Sequence, residues 1–173
     1  GDQRATVDVT VESFDSQQRV DFGNEIVPLL TRHGCNSGGC HGNANGKNGF
    51  KLSLLGFDAD FDYSAIVKEG RGRRVFPASP ETSLLLRKAT GQIPHGGGAR
   101  LKLDDPHYQT LRKWITQGMP RTTESDPVLV RIKLTPGERP LKPNESQQLK
   151  VTAYYSDNSE KDVTPLSAFQ SSD

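Results

Sequence analysis

Both cysteines of the chain lie in one short segment, residues 34–42, and a histidine follows the second cysteine directly. Two thiols followed by a histidine are the groups that hold a c-type haem, because the thiols add across its vinyl groups and the histidine binds its iron. The usual motif is C-x-x-C-H, whereas here four residues separate Cys35 from Cys40. Two of these four are glycines and two are polar turn residues, so a looped-out insertion is expected. The segment therefore predicts one covalently attached haem, with His41 as its proximal ligand.

Three other chemistries use the same residue types. A disulfide between the two cysteines would suit an oxidising compartment, but it explains neither the adjacent histidine nor the surrounding glycines. A zinc site needs about four protein ligands, and His33, His95 and His107 are the further candidates, although no second paired-ligand motif is present. A thioredoxin-like pair needs two intervening residues. Haem attachment is the preferred interpretation, and the disulfide is its main alternative.

The composition is that of a small, loop-rich protein. The 173 residues carry a net charge of +1 and are 32% hydrophobic, with 17 glycines and 11 prolines. A modest core is therefore expected, which suits a domain whose interior is partly filled by a prosthetic group. The balanced charge favours neither nucleic acid nor an anionic membrane surface as a partner, and no apolar run of about 18 residues predicts a membrane span. An export signal is expected upstream of this sequence, and with it a periplasmic or otherwise extracytoplasmic location.

The first half of the chain predicts two helices around the cysteine segment. Asn24 is a cap residue for a helix over residues 25–33, which would deliver the chain to Cys35. The stretch that follows the cysteines is rich in glycine and asparagine and then hydrophobic, with Phe50 as a candidate for the cofactor crevice. A second helix is predicted over residues 62–68.

Two further helices are predicted before residue 120. One begins after Ser79 and Pro80, which suit the cap and the first helical position, and it buries apolar residues within 84–89. The clearest helix runs over residues 104–117, because its apolar residues recur at helical spacing. Its predicted packed face consists of His107, Leu111, Trp114 and Ile115.

The sixth ligand of a haem iron is sought among the remaining histidines and the single methionine. His95 is preferred because Pro94 and three glycines surround it in a loop whose backbone can approach a porphyrin closely. Met119 is the alternative, just past the last helix. His107 is expected to pack within its helix, and His33 is too near Cys35 to cross to the other face. Bis-histidine ligation by His41 and His95 would give a six-coordinate iron with a lower potential than a His/Met centre.

Several short segments together carry a family resemblance: 26–30 (IVPLL), 34–35 (GC), 40–42 (CHG), 49–54 (GFKLSL), 72–74 (GRR), 80–86 (PETSLLL), 94–97 (PHGG) and 114–115 (WI). Residues 22–120 resemble the planctomycete-type cytochrome c domain found in large exported proteins. The resemblance implies a class I-like cytochrome c fold of few helices, exported and loaded with one haem. Ile93 stands where the wider family usually has the methionine of a Met-Pro pair, and His95 follows the proline instead.

The chain changes character after about residue 121. Residues 128–132 and 148–155 alternate with strand period and are separated by turn residues. They resemble the opening strands of a bacterial immunoglobulin-like domain, although a complete sandwich has about 100 residues. The sheet is therefore expected to be truncated or completed by another segment, such as the alternating residues 5–11. The predicted fold class is α+β, with a linker or strand at 1–21, a mainly α haem domain at 22–120 and a partial β-sandwich at 121–173.

The expected function is one-electron transfer, because a six-coordinate iron leaves no open position for a substrate. No carboxylate pair or nucleophile triad is evident, so an enzyme is not expected in this chain. Arg71, Arg73 and Arg74 are candidates to bind the haem propionates or to form a docking patch. Phe50 and Trp114 are candidates to line the crevice.

Two rival functions remain open at this point. Ready dissociation of His95 would make the domain a haem-based ligand sensor or a weak peroxidase. A disulfide in place of the thioethers would make the chain a non-redox module in which the immunoglobulin-like part binds a wall or a glycan. For the electron-transfer function, the partner is expected to be a redox protein or another domain of the same polypeptide.

Overall fold

A computed structural model describes residues 6–7, 10 and 18–170 of the chain. Within these residues, short helices are followed by a three-stranded antiparallel sheet, so the protein belongs to the α+β class, as predicted. The predicted strand over residues 5–11 lies outside the described residues except at 6, 7 and 10. The α-helices are α1 (Val27–Arg32), α2 (Ala59–Tyr63), α3 (Leu84–Ala89) and α4 (Pro106–Thr116), and the strands are β1 (Leu129–Thr135), β2 (Lys150–Tyr155) and β3 (Glu160–Asp162).

The first helical stretch begins earlier than predicted. Asp21 is its cap, because its carboxylate accepts a hydrogen bond from the backbone N–H of Asn24 at 2.6 Å. One turn of π-helix, Phe22–Ile26, then leads into α1. Asn24, the predicted cap, lies inside this stretch, and its side-chain amide donates instead to the carbonyl of Pro127 at 2.8 Å.

The second helix also starts before its predicted position. Asp58 caps α2 by accepting a hydrogen bond from the N–H of Phe61 at 2.9 Å, so the helix begins at Ala59 and not at Asp62. The chain continues as a π-helix, Ser64–Lys68, over the remainder of the predicted range. The competing cap, Asp58, explains the shift, because the first orphan N–H groups of a helix bind whichever side-chain oxygen reaches them.

The last two helices follow the prediction more closely. Pro80 opens a single 3₁₀ turn, Pro80–Thr82, which precedes α3, and the Ser79 side chain makes no capping hydrogen bond there. Asp105 caps α4, whose extent agrees with the predicted 104–117 within end fraying. His107 is half-buried at the edge of the packed face, and Tyr108 takes a buried position instead. The buried residues of α4 are Tyr108, Leu111, Trp114 and Ile115.

The helices enclose one hydrophobic core with an aromatic centre. Phe22 contacts Tyr63 edge-on, with ring centroids 5.3 Å apart, and Trp114 at 5.4 Å. Such pairs add stabilisation beyond the area that they bury. Of the hydrophobic residues that follow the cysteine segment, Leu52 is buried in this core whereas Leu54 and Leu55 are exposed.

The sheet is a three-stranded meander in the order β1–β2–β3. Alternate residues of β2, Val151, Ala153 and Tyr155, are buried, whereas every residue of β1 is exposed. Leu166, just after β3, packs against the helical core and links the two parts of the chain. The strands agree with the predicted β-character of this region. Among the described residues the strands form one three-stranded sheet, whereas the predicted immunoglobulin-like sandwich has two packed sheets.

Candidate cofactor site

A cavity of about 870 Å³ opens beside the hydrophobic core and collects most of the predicted site residues. Its wall includes the side chains proposed for attachment and for ligation, from two separate stretches of the chain. Leucines from α1, α3 and α4 form much of the remaining wall. The predicted site residues on the wall are Cys35, Cys40, His41, Phe50, Arg73, Arg74 and His95.

The loop that carries the cysteines is built around a buried asparagine. Asn36 is fully buried, and its side-chain amide donates to the hydroxyl of Thr31 on α1 at 2.8 Å. The backbone N–H of His41 donates to the carbonyl of Cys35 at 3.0 Å, which closes the loop at its base. Gly42 passes so close to Asn36 that a Cβ at position 42 would lie 2.7 Å from the Asn36 carbonyl carbon. The loop is therefore tightly packed, and residue 42 has no room for a side chain.

The two thiols differ in environment and are both free in the structure. Cys35 is half-buried and contacts the hydrophobic core. Burial raises the pKa of its thiol to about 11, with a smaller contribution from the neighbouring Cys40. Cys35 is therefore a neutral thiol at physiological pH, a poor nucleophile and a poor metal ligand in that state.

His41 presents one free ring nitrogen to the cavity. Its Nδ1 lies 3.0 Å from the carbonyl oxygen of Phe50, to which it donates, and its ring lies against the Phe50 ring at 4.5 Å. This hydrogen bond selects the tautomer in which Nε2 carries the lone pair. Burial lowers the pKa of His41, and this keeps the imidazole neutral near pH 7. A neutral imidazole oriented by a backbone carbonyl is the usual arrangement of a histidine that binds a metal.

His95 makes the same type of hydrogen bond from another loop. Its Nδ1 donates to the carbonyl of Gly98 at 2.8 Å, so its Nε2 is also free. Gly98 has a φ of +72°, a conformation that lets the loop turn back on the histidine. The ring of His95 lies parallel to the ring of His41, with an interplanar angle of 8° and a centroid separation of 6.2 Å.

The spacing of the two rings fits two ligands of one metal ion. An imidazole nitrogen binds a first-row metal at about 2.0 Å, and it lies about 1.1 Å from the centre of its own ring. Two imidazoles on opposite sides of one ion thus have centroids roughly 6 Å apart, as His41 and His95 have. The residues present therefore fit a haem: two thiols, two parallel imidazoles at this separation and an apolar wall.

The Lys and Arg side chains on the wall are not matched by acidic ones. It includes five cationic side chains, and none of the described residues on it is acidic. A cavity of this kind suits a ligand that is apolar with anionic edges. The cations are Lys47, Arg73, Arg74, Lys88 and Arg100.

The three predicted arginines have different roles. Arg74 is buried and already donates to three backbone carbonyls, those of Gly49 at 2.8 Å, Ala65 at 2.8 Å and Glu69 at 3.0 Å. Its guanidinium also lies 4.5 Å from the centre of the Phe50 ring. Arg74 thus supports the wall. Arg73 is exposed at the cavity and its guanidinium has no such set of partners among the described residues, whereas Arg71 is not on the wall.

Trp114 and Met119 lie away from the cavity. Trp114 is fully buried in the aromatic centre of the core, and its indole N–H donates to the carbonyl of Pro120 at 3.0 Å. Met119 packs against the same core, and its carbonyl accepts a hydrogen bond from the Tyr63 hydroxyl at 2.9 Å. The structure therefore does not bring these two residues together with His41.

Sequence reasoning missed several wall residues and one cluster. Lys47, Lys88 and Arg100 were not among the predicted site residues, and no local motif distinguishes them from surface cations. His33 also lies on the wall, where its Nε2 is 2.7 Å from Nδ1 of His107. Among the described residues, the one cluster of three potential metal ligands consists of His33, Asp105 and His107, and it contains no cysteine. The zinc site suggested for the cysteines is therefore not assembled there.

No family model, curated protein or solved structure matches the chain. Over the described part of the chain, none of the helices has both the length and the apolar character needed to cross a bilayer. The functional conclusion therefore rests on the residues of the cavity.

Proposed function

We propose that residues 22–120 form a c-type cytochrome domain that carries single electrons. Cys35 and Cys40 would hold one haem through thioethers, and His41 and His95 would bind its iron. The observation that carries the proposal is the parallel pair of imidazoles, 6.2 Å apart, with both Nε2 atoms free. The resemblance to the planctomycete-type cytochrome c domain supports the same assignment.

The chain's own residues would bind, orient and insulate the group. The carbonyls of Phe50 and Gly98 hold the two imidazoles in the ligand tautomer. Exposed cations at the cavity, Arg73 and Arg100 among them, suit the two propionates. Leucines of the wall exclude water, and this favours a low local dielectric. When bound, a haem supplies a one-electron redox couple.

Two histidine ligands define the chemistry that is expected. His41 and His95 would both bind the iron and would leave it no open site for a substrate, so the domain is proposed as an electron carrier, not an enzyme. Histidine in place of methionine lowers the reduction potential. The partner is proposed to be a redox protein or another domain of the same polypeptide, in a periplasmic or other extracytoplasmic compartment. The three-stranded sheet is proposed as part of an immunoglobulin-like domain.

The test is the visible spectrum of the full chain, produced in an export-competent host that has haem-attachment machinery. Sharp α and β bands in the reduced protein that survive acid-acetone extraction, with a mass gain of one haem, are expected. The variant His95→Ala should lose the low-spin spectrum, whereas Met119→Leu, the matched control, should keep it. A low-spin spectrum that His95→Ala leaves unchanged would contradict the ligand assignment. A colourless protein lacking the two thiol hydrogens would instead favour the disulfide-stapled binding module.

A haem-based ligand sensor is the second candidate. His95 is held by a hydrogen bond within its own glycine-rich loop, to the carbonyl of Gly98. A loop of this kind can move its histidine away from the cavity at low cost. Carbon monoxide binding to the reduced protein, without loss of far-UV circular dichroism, would favour the sensor over the carrier.

A further inference from the structure

The end of α1 meets the start of α4 at a cluster of two histidines and one aspartate. His33 directly follows α1, Asp105 is the cap residue of α4, and His107 is in the first turn of α4. One ligand atom from each of the three residues lies within 4.8 Å of the other two. Nε2 of His33 is 2.7 Å from Nδ1 of His107, which is 3.7 Å from Oδ1 of Asp105.

The fold holds these donors in place from two directions. Asp105 accepts a hydrogen bond from the backbone N–H of His107 at 2.8 Å, so its carboxylate is fixed by its capping role. The two imidazole rings meet edge to face, at 80° and 5.0 Å between centroids. All three residues are half-buried, which leaves solvent access for an ion and for a water ligand. Two imidazoles and one carboxylate from separate elements form a donor set used by divalent transition metals.

We propose that His33, Asp105 and His107 form a second metal site, which binds a divalent transition-metal ion of the zinc class. The ion would take one nitrogen from each histidine and a carboxylate oxygen, with water in the fourth position. Two nitrogens at about 2.0 Å from a tetrahedral ion are roughly 3.3 Å apart, so the rings must open slightly from their present hydrogen bond. Both imidazoles stay neutral, because the proton between them moves to the ring nitrogen that faces away from the ion.

The site is distinct from the proposed haem ligands and does not rest on the proposed function. It shares no residue with the His41–His95 pair, and its third ligand, Asp105, is not on the cavity wall. The positive charge of Arg32 lies near His33 and opposes cation binding there. The carboxylate of Asp105 is therefore needed to offset this charge, so a substitution of Asp105 tests the site most directly.

The test is a zinc titration of the full chain by calorimetry, with zinc counted by elemental mass spectrometry after dialysis. One zinc ion per chain is expected. The variant Asp105→Asn keeps a capping oxygen but removes the charge, and it should weaken binding at least about tenfold, because even outer-shell losses cost 10–100-fold. The double variant His33→Gln/His107→Gln should bind no zinc, and circular dichroism checks that it folds.

The matched control separates this site from the cavity. His95→Gln alters the parallel pair of His41 and His95 and should leave one zinc ion bound per chain, whether or not a haem is attached. X-ray absorption at the zinc edge should show nitrogen and oxygen ligands without sulfur. Zinc retained by the double histidine variant, or sulfur in the coordination shell, would overturn the proposal. The absence of zinc binding by the unaltered chain would mean that the two histidines form a hydrogen-bonded pair only.

Discussion

Gly42 lies so close to the backbone of Asn36 and Ser37 that adding one methyl group at this position tests the packing of the cysteine loop. Gly42 directly follows His41, and a Cβ placed there would lie 2.9 Å from the carbonyl oxygen of Ser37 and closer still to that of Asn36. Both obstacles are backbone atoms and cannot rotate away. The variant Gly42→Ala must therefore displace the loop that positions both thiols and His41.

The size of the effect follows from what the loop must give up. Overpacking a tight site costs about 1–3 kcal/mol. Moving the loop also strains two hydrogen bonds, from Gly42 N–H to Ser37 and from His41 N–H to Cys35, at 3.1 Å and 3.0 Å. Each is worth about 1 kcal/mol. A loss of about 3 kcal/mol in the free energy of unfolding is expected, which lowers Tm by about 6–12 °C for a chain of this length.

Gly39→Ala is the matched control in the same loop. A Cβ at Gly39 meets no atom within 4 Å, and Gly39 does not have a positive φ. Where the backbone is compatible, replacing glycine by alanine stabilises a protein slightly, by about 0.4–1 kcal/mol, through the unfolded chain. The control variant should therefore unfold within about 1 kcal/mol of the unaltered protein.

Urea unfolding followed by far-UV circular dichroism measures both variants, and mass spectrometry measures the fraction of chain that carries a haem. Gly42→Ala should lose stability and attach less haem, whereas Gly39→Ala should do neither. Equal stabilities of the two variants would refute the packing of the loop around Asn36. Lost stability with full haem attachment would instead show that the loop geometry does not govern attachment.

Three further predictions concern other groups of the same domain. Asp62→Ala should lower the free energy of unfolding in urea by about 2–3 kcal/mol, because the buried N–H and hydroxyl of Ser53 lose their acceptor; a loss below about 0.5 kcal/mol would contradict this. Arg74→Lys should lower the free energy of unfolding by about 2 kcal/mol, because one ammonium cannot replace a guanidinium that donates to three carbonyls. The control, Arg73→Lys at an exposed position, should lower it by less than about 0.5 kcal/mol. Equal losses would refute the supporting role of Arg74. Without haem, the alkylation rate of Cys35 should still rise between about pH 9 and pH 11, because burial raises the pKa of its thiol to about 11. A plateau near pH 9, as for an ordinary thiol, would show that the thiol is not buried.

Local sequence signals predicted the elements whose ends are decided locally. α4 was predictable because a capping aspartate, a proline in the first turn and apolar residues at helical spacing all agree. The predicted strand over residues 148–155 contains β2, Lys150–Tyr155, whose burial alternates as expected. The two earlier helices started too late in the prediction because Asp21 and Asp58 compete with the expected starts as caps.

Side-chain direction was the part that the sequence could not decide. Leu111 and Trp114 share the buried face of α4, yet Leu111 reaches the cavity wall whereas Trp114 packs against Phe22. A helical period identifies a buried face but not which of two apolar environments it meets. Likewise, Arg73 and Arg74 are neighbours in sequence, and only Arg74 turns inward to three carbonyls.

Contacts between distant parts of the chain could not be predicted from the sequence either. His33 and His107 are separated by 74 positions, and no motif spacing connects them. They meet because α1 and α4 both pack on the same core, which is a tertiary result. The place of His95 on the cavity wall was easier to predict, because its proline and glycine neighbours indicated a loop able to approach the cavity.

The additional residues between the two cysteines lie at an exposed turn of the loop. The hydrogen bond from His41 N–H to Cys35 ties the two ends together, and Asn36 turns inward against α1. The additional residues are then accommodated at the exposed Gly38 and Gly39, of which Gly39 borders the cavity. Both thiols and the histidine consequently remain on one wall despite four intervening residues. A longer spacing between the cysteines is therefore compatible with the same chemistry, provided that a buried side chain anchors the insertion and glycines complete its turn.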